Sequence, residues 1–354
     1  MSEKQWRVGV VGVGVVGEWH VRVTPQVPGA KLVAVCDLIP EKCHKALEKN
    51  KLTGISVYPD MKEMLAKEQL DVITVATPSG NHMDPALVAI EAGKNVICEK
   101  PMEIQLDRID RMISAARAKG VRLAGIFQNR WNEANRILKR AVEQGRFGKL
   151  AWAGSFTPWY RTDQYYEEGG WRGTWALDGG GAIMNQSVHA VDLLQWMVGP
   201  VKQVSAYASS RIHPKIEVED TLSCSLVFEN GAFGTILGTT AMYPGGAVRL
   251  WVGGENGTAI SENGLHTYKF REEKPEDKEL LEQLNTKNAK TTGGGASATD
   301  VGLDLHGRNI NAILRAWDKG EDAETNGTEA RKAVAIILAM YESARKNGAP
   351  VDVK

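Results

Sequence analysis

The sequence predicts an α/β protein of two domains, a doubly wound parallel sheet followed by an α/β domain whose sheet is mostly antiparallel. Three observations predict this. Short Val- and Ile-rich runs alternate with helical segments in the first third of the chain. Past about residue 150, strand-like runs follow one another with turn dipeptides between them. The 354 residues also exceed what one ordinary core fills. The expected bounds are 1–126 and 127–354, with the closing helices able to return to the first domain.

The runs RVGVVG (7–12), KLVAVCD (31–37), DVITVAT (71–77) and KNVICEK (94–100) suit strands buried on both faces. Helical segments at 82–92 and 105–119 separate or follow them, and a further strand begins at Val121. In the second half, VKQVSAYASSR, DTLSCSLVFENGAFGTILGTT and AVRLWVGGENGTAIS read as an antiparallel meander. Asn230-Gly231 and Asn256-Gly257 are expected to form two-residue hairpin turns with both central residues at positive φ. Residues 271–299, charged and then low in complexity, read as a solvated excursion. Helical periodicity returns at 306–318 and 328–346.

Lys+Arg and Asp+Glu balance at 43 each, so no basic field favours nucleic acid or an anionic membrane, and a small partner fits better. The opening MSEKQ runs straight into a strand-like segment, and no run of 18 or more apolar residues follows, so a soluble cytoplasmic protein is expected. Cys36, Cys43, Cys98 and Cys224 lack metal-like spacing and are expected to be reduced and structural.

Gly12, Gly14 and Gly17, with Val15 and Val16 between the last two, follow the first strand at once and lead into a helix. A bare helix N-terminus there can meet a pyrophosphate. Asp37 ends the second strand 20 residues beyond Gly17, where a carboxylate can accept both ribose hydroxyls of an adenosine. Leu38 beside it offers no charge to a 2′-phosphate, so NAD is favoured over NADP. Two further peptides stand at strand ends. In TPSGNH, Pro78 holds Thr77 extended, and Asn81 or His82 begins the next helix, His82 reading equally as a cap or a cofactor contact. In Glu99-Lys100-Pro101, a lysine closing an apolar strand is costly unless its ammonium enters a polar cleft. The expected cofactor-binding set is Gly12, Gly14, Val15, Val16, Gly17, Asp37, Leu38, Thr77, Pro78, Asn81, His82, Glu99 and Lys100.

In the second half, DGGGAIMNQSVHAVDLLQW (178–196) places Asn185, His189 and Asp192 on one helix face, with glycines ahead that leave room for a ligand. Residues 159–175 gather six Trp and Tyr side chains with Arg161 and Arg172. These suit either pyranose or cyclitol rings or a subunit interface. Lys100, Arg161, Trp171, Arg172, Asn185 and His189 form the expected substrate-binding set.

The Gly12-x-Gly14-x-x-Gly17 turn, Thr77-Pro78 with His82, Glu99-Lys100-Pro101, and GGG followed by His189-x-x-Asp192 resemble the glucose–fructose oxidoreductase, inositol dehydrogenase and MocA group, in order over nearly the whole chain. The resemblance implies an N-terminal Rossmann domain that carries NAD(P) and a C-terminal α/β domain with a large open sheet that forms oligomers. It also implies Lys100 and His189 as the catalytic pair. Many members carry Asp where this chain has Asn185, and an amide orients a hydroxyl but relays no proton. The implied reaction is hydride transfer between a secondary hydroxyl of a sugar, sugar derivative or cyclitol and the nicotinamide. His189 would be the base and Lys100 the charge stabiliser. A glycoside-cleaving enzyme with tightly bound NAD and a non-catalytic NAD-bound regulator are the alternatives. A homodimer or homotetramer joined through the second sheet is expected, with no metal.

Overall fold

The structure, a computed structural model, describes residues 5–262, 264–288 and 303–354. Its first strands are β1 (Trp6–Val11), β2 (Ala30–Cys36), β3 (Ser56–Tyr58), β4 (Val72–Val75), β5 (Asn95–Cys98) and β6 (Leu123–Gly125). Between them run α1 (Val15–Val23), α2 (Pro40–Lys49), α3 (Met61–Lys67), α4 (Met83–Glu91) and α5 (Leu106–Lys119). The strands pair in the order β3-β2-β1-β4-β5-β6, every pairing parallel. The order reverses at β1 and β4, and in such a sheet the crevice beyond the carboxyl ends at that reversal is where ligands bind. The Val and Ile runs are strands for the expected reason: Val10, Val72, Val75 and Val96 are completely buried. Strand β3, only three half-buried residues, carries too little apolar pattern to announce itself.

The remaining elements are α6 (Glu133–Glu143), β7 (Leu150–Pro158), α7 (Asp163–Glu167), α8 (Val188–Val198), β8 (Val201–Ser209), β9 (Thr221–Phe228), β10 (Phe233–Thr239), β11 (Arg249–Gly254), β12 (Gly257–Glu262), β13 (Leu265–Phe270), α9 (Pro275–Asn288), α10 (Leu303–Asp318), α11 (Gly327–Arg345) and β14 (Val351–Asp352). The fold divides into two units, one of the described residues within Met1–Gln128 and Gly302–Arg331, the other of those within Asn129–Val301 and Lys332–Lys354. In the first unit α10 closes one side of the parallel sheet. Its Ile310, Ile313, Leu314 and Trp317 join Trp6, Val8, Val72 and Ile97 in one buried cluster, and Trp6 Nε1 donates to Asp318 at 2.9 Å. Each such apolar side chain contributes about 1.5–3 kcal/mol by leaving water.

The second unit holds an eight-stranded sheet in the order β13-β12-β11-β7-β10-β9-β8-β14. It is mostly antiparallel, but the expected single meander is interrupted: β7 lies between β10 and β11 and runs parallel to β10. Its sequence, LAWAGSFTP, has no Val or Ile and hides the strand. The turns differ as well. At Asn230-Gly231 only the glycine has positive φ, at 86°. Asn230 instead donates its side-chain amide to the Val198 carbonyl at 3.0 Å. The second hairpin turns on Glu255-Asn256, between the paired Gly254 and Gly257, with neither turn residue at positive φ. The charged part of the expected excursion is helix α9, tied down by Asp277, which accepts two hydrogen bonds from Arg146 at 2.6 and 2.7 Å. Residues 289–299 lie outside the described residues. All four cysteines are buried and free.

Helix α8 is buried at every position except His189, which is half-buried. Apolar packing does not fix the rotation of so uniformly apolar a helix, whereas a buried ion pair does. Arg130 and Asp192, each 1% exposed, meet with Nε to Oδ2 at 2.8 Å and Nη2 to Oδ1 at 2.6 Å, and the guanidinium lies 5.4 Å from the centre of the Trp196 ring. Removing one partner leaves a buried charge unanswered, so Asp192→Ala is expected to cost about 3–5 kcal/mol. The cost should appear as a lowered urea midpoint for the transition of the second unit.

Candidate active site

The glycine turn after β1 is built by backbone crowding. Gly12 has a φ of 85°, and a Cβ on it would lie 2.7 Å from the Ala76 carbonyl oxygen, just past β4. A Cβ on Gly17 would lie 1.8 Å from the Gly12 carbonyl oxygen. Gly14 differs, for no heavy atom lies within 4 Å of where its Cβ would stand. Helix α1 starts directly after it, without a side-chain cap, so its first amides point into the open space that the missing Cβ leaves. That is the arrangement a diphosphate needs. Asp37 accepts the Val13 N–H at 2.8 Å and the Ile39 N–H at 2.9 Å, one on each oxygen, which pins the glycine loop to the end of β2. Each carboxylate oxygen retains a lone pair for a sugar hydroxyl. Lys42 Nζ stands 4.0 Å from Asp37, and Leu38 is 91% exposed. These residues fit a dinucleotide.

Past β4, Pro78 leads a short turn, and Thr77 Oγ1 donates to the Asn81 carbonyl at 3.0 Å. His82 caps nothing with its side chain. Its ring is buried, with Nε2 2.8 Å from the Thr77 carbonyl and Nδ1 2.9 Å from the Pro101 carbonyl, so it ties the loop after β4 to the loop after β5. This replaces the capping reading: the short turn ahead of α4 aims the ring inward. Glu99 is likewise buried, its carboxylate turned to His20, while Lys100 beside it is half-buried.

In the second unit Asn185 and His189 do not share a regular α-helical face. Ala182–Gln186 form a π turn, with the Ser187 N–H bonded to the Ala182 carbonyl at 3.0 Å, and α8 begins only at Val188. Asp192 turns to Arg130, so of the three residues expected on one face Asn185 and His189 remain, both half-buried in a buried surround. Two of the glycines ahead, Gly180 and Gly181, make room for protein rather than ligand. A Cβ on Gly181 would lie 1.8 Å from the Glu219 carbonyl oxygen, and one on Gly180 2.0 Å from the Tyr341 hydroxyl. Asn185 Nδ2 donates to the buried Asp178 at 2.7 Å, which fixes the amide's orientation. Glu219 receives the N–H groups of Gly181 and Ile183 and the Tyr341 hydroxyl, each at 2.9 Å. Arg172 lies 4.4 Å from the centre of the Tyr165 ring, and Arg161 4.8 Å from that of Trp159. Trp171 is half-buried near Arg172.

Residues 6–127 match the oxidoreductase family with an NAD-binding Rossmann fold, and residues 135–260 match the GFO/IDH/MocA C-terminal domain. The WlbA dehydrogenase of Bordetella pertussis, solved in complex with NADH and UDP-GlcNAcA, is 33% identical over 100% of this chain and 99% of its own, with a TM-score of 0.90. The chain belongs to the GFO/IDH/MocA oxidoreductase family. Further relatives are D-apiose dehydrogenase of Paraburkholderia graminis, 25% identical over 99% of this chain and 90% of its own, and myo-inositol 2-dehydrogenase of Thermotoga maritima, 27% identical over 74% and 76%. As in the family description, the parallel sheet is the NAD-binding domain.

Several residues that shape these two settings escaped the sequence reading: His20 and His306 in the first unit, and Arg130, Asp178, Glu219 and Tyr341 in the second. Asp178 sits directly ahead of the GGG and was the one in plain sight; the others lie far along the chain from what they touch. Burial raises the Glu219 carboxyl from 4.5 to about 7, outweighing the hydrogen bonds from Ile183, Gly181 and Tyr341 that favour the charged form. A raised carboxyl supports the fold fully below the unfolded value and loses that support as pH rises through the folded one. The second unit is therefore expected to lose on the order of 3 kcal/mol between pH 4.5 and 7 from this group. Glu219→Gln should flatten that slope in urea unfolding followed by tryptophan fluorescence.

Proposed function

We propose that the protein is an NAD-dependent dehydrogenase that moves a hydride between the nicotinamide and a secondary hydroxyl of a sugar, sugar derivative or cyclitol. The observation that carries this reading is the pair of half-exposed groups in otherwise buried settings. Lys100 stands just past β5, after Glu99, at the ligand side of the parallel sheet, and His189 is the one residue of α8 that is not buried. NAD, when bound, supplies the hydride acceptor. The amides at the start of α1 hold its diphosphate, and Asp37 takes the adenosine ribose hydroxyls and repels a 2′-phosphate. His189 accepts the proton of the substrate hydroxyl, an imidazole being basic near neutrality. Lys100 stabilises the negative charge that develops on that oxygen. Asn185, held by Asp178, orients the substrate, and Arg161, Arg172 and Trp171 line its approach. The likeness to WlbA, together with these two arginines, favours a nucleotide-linked sugar acid as the first substrate to try.

With such a substrate, turnover followed by NADH absorbance should be higher with NAD than with NADP. Lys100→Ala and His189→Ala should each lower it by roughly a hundredfold or more, with NADH affinity by fluorescence little changed. Near-normal turnover in His189→Ala would refute the mechanism. We also propose a homodimer or homotetramer joined through the second sheet, because Tyr207, Phe233 and Trp251 stand exposed on its strands, with Trp152 5.7 Å from Trp251. Light scattering at micromolar concentration should show that assembly, and Phe233→Asp with Trp251→Asp should shift it toward monomer.

A further inference from the structure

Beside Lys100 the first unit buries a charged cluster with no assigned task. Glu99 is 4% exposed and completely buried His20, three residues past Gly17 on α1, brings Nε2 to 2.6 Å from its Oε1. The other carboxylate oxygen accepts the backbone N–H of Lys100 at 3.0 Å. His306 of α10 stands 3.8 Å from Oε1, its ring edge-on to His20 at 5.9 Å and to Trp19 at 5.5 Å. Burial pushes the Glu99 carboxyl up, but the hydrogen bond and charge of His20, with the charges of His306 and Lys100, outweigh it and hold it at about 2. Burial lowers His306 to about 4, against the pull of Glu99. At neutral pH the cluster therefore holds a buried carboxylate and a neutral His306. Burying an ionised group is expensive and contributes little net stability even when it is paired, so stability is a poor reason for this one.

We propose that Glu99, clamped by His20, is a positioning residue for Lys100: its carboxylate fixes the lysine backbone and supplies the buried negative charge that keeps the side chain an ammonium. The inference rests on the reading of Lys100 as the group that stabilises charge on the substrate oxygen. The Lys100 charge is among those that lower the Glu99 carboxyl, and such an interaction favours the charged form of both groups. Among the described residues the other titratable groups around this segment include Cys98 at the end of β5, His20 from α1, His306 from α10, His82 from the turn before α4, and Glu103 past Pro101. Glu103 is answered by Arg108 of α5 at 2.9 Å, which leaves Glu99 as the carboxylate bonded to the Lys100 backbone. Because His20 lies on the helix whose first amides form the diphosphate site, one rigid element sets both the cofactor cradle and the lysine.

The test titrates Lys100 directly, by NMR of the 13C-methylated protein with the resonance assigned through Lys100→Arg, and so needs no substrate. In Glu99→Gln the lysine should lose its proton about one pH unit lower or more. His20→Ala should move it the same way, and His20→Gln, which keeps an N–H donor, should recover part of the change. The alkaline limb of the kcat profile should follow. A lysine titration unmoved in Glu99→Gln and in His20→Ala, with only Tm lowered, would overturn the proposal. Should Glu99→Gln fail to fold, the His20→Ala and His20→Gln pair decides on the same criterion. If the titration moves but Lys100→Ala retains turnover, the proposed function fails and the positioning role stands.

Discussion

The contact of backbone on backbone at Gly12 governs the first half of the molecule. The turn after β1 lies against the Ala76 and Thr77 backbone past β4, and α1 lies against the turn through Gly17, at distances that admit no Cβ. This close seating puts the first amides of α1 over the carboxyl ends of the strands. It brings Val13 to the Asp37 carboxylate and carries His20 down to Glu99. A methyl group at Gly12 or Gly17 would lift the helix and disturb all of these at once.

In the second half the governing feature is a helix too apolar to orient itself. Helix α8 has one half-exposed residue, His189, and buried polar contacts fix where that residue points. Arg130 holds Asp192 on its flank, Glu219 receives the amides of the π turn ahead of it, and the Tyr341 hydroxyl closes on the same carboxylate. Gly180 and Gly181 are glycines because Tyr341 and the Glu219 backbone occupy the space that side chains would need.

The two halves share a device. Lys100, Asn185 and His189, three half-exposed groups proposed to meet substrate, each have buried charged residues close by in the fold: Glu99 with His20 at Lys100, Asp178 at Asn185, and Asp192 with Arg130 on the helix of His189. Buried ion pairs are weak sources of net stability, yet their geometry is specific, and a side chain that must meet a reacting atom needs orientation more than burial.

By itself the sequence determined whatever depends on local pattern. Val and Ile runs buried on both faces imply parallel strands, Gly12, Gly14 and Gly17 imply a turn into an uncapped helix, and Asp37 ends the second strand at the right remove. The motifs around Lys100 and His189 sufficed to indicate the family. Tertiary structure alone decided what depends on distant neighbours. The strand β7, without Val or Ile, exists because β10 and β11 flank it. Asp192 turns from the expected site because Arg130, 62 residues away, neutralises it in the interior. Gly180 and Gly181 make room for Tyr341 and the Glu219 backbone rather than a ligand, and His82 is a tie between loops because two carbonyls converge on its ring. A buried charge must find its partner wherever the fold brings one, and sequence spacing carries no record of that choice.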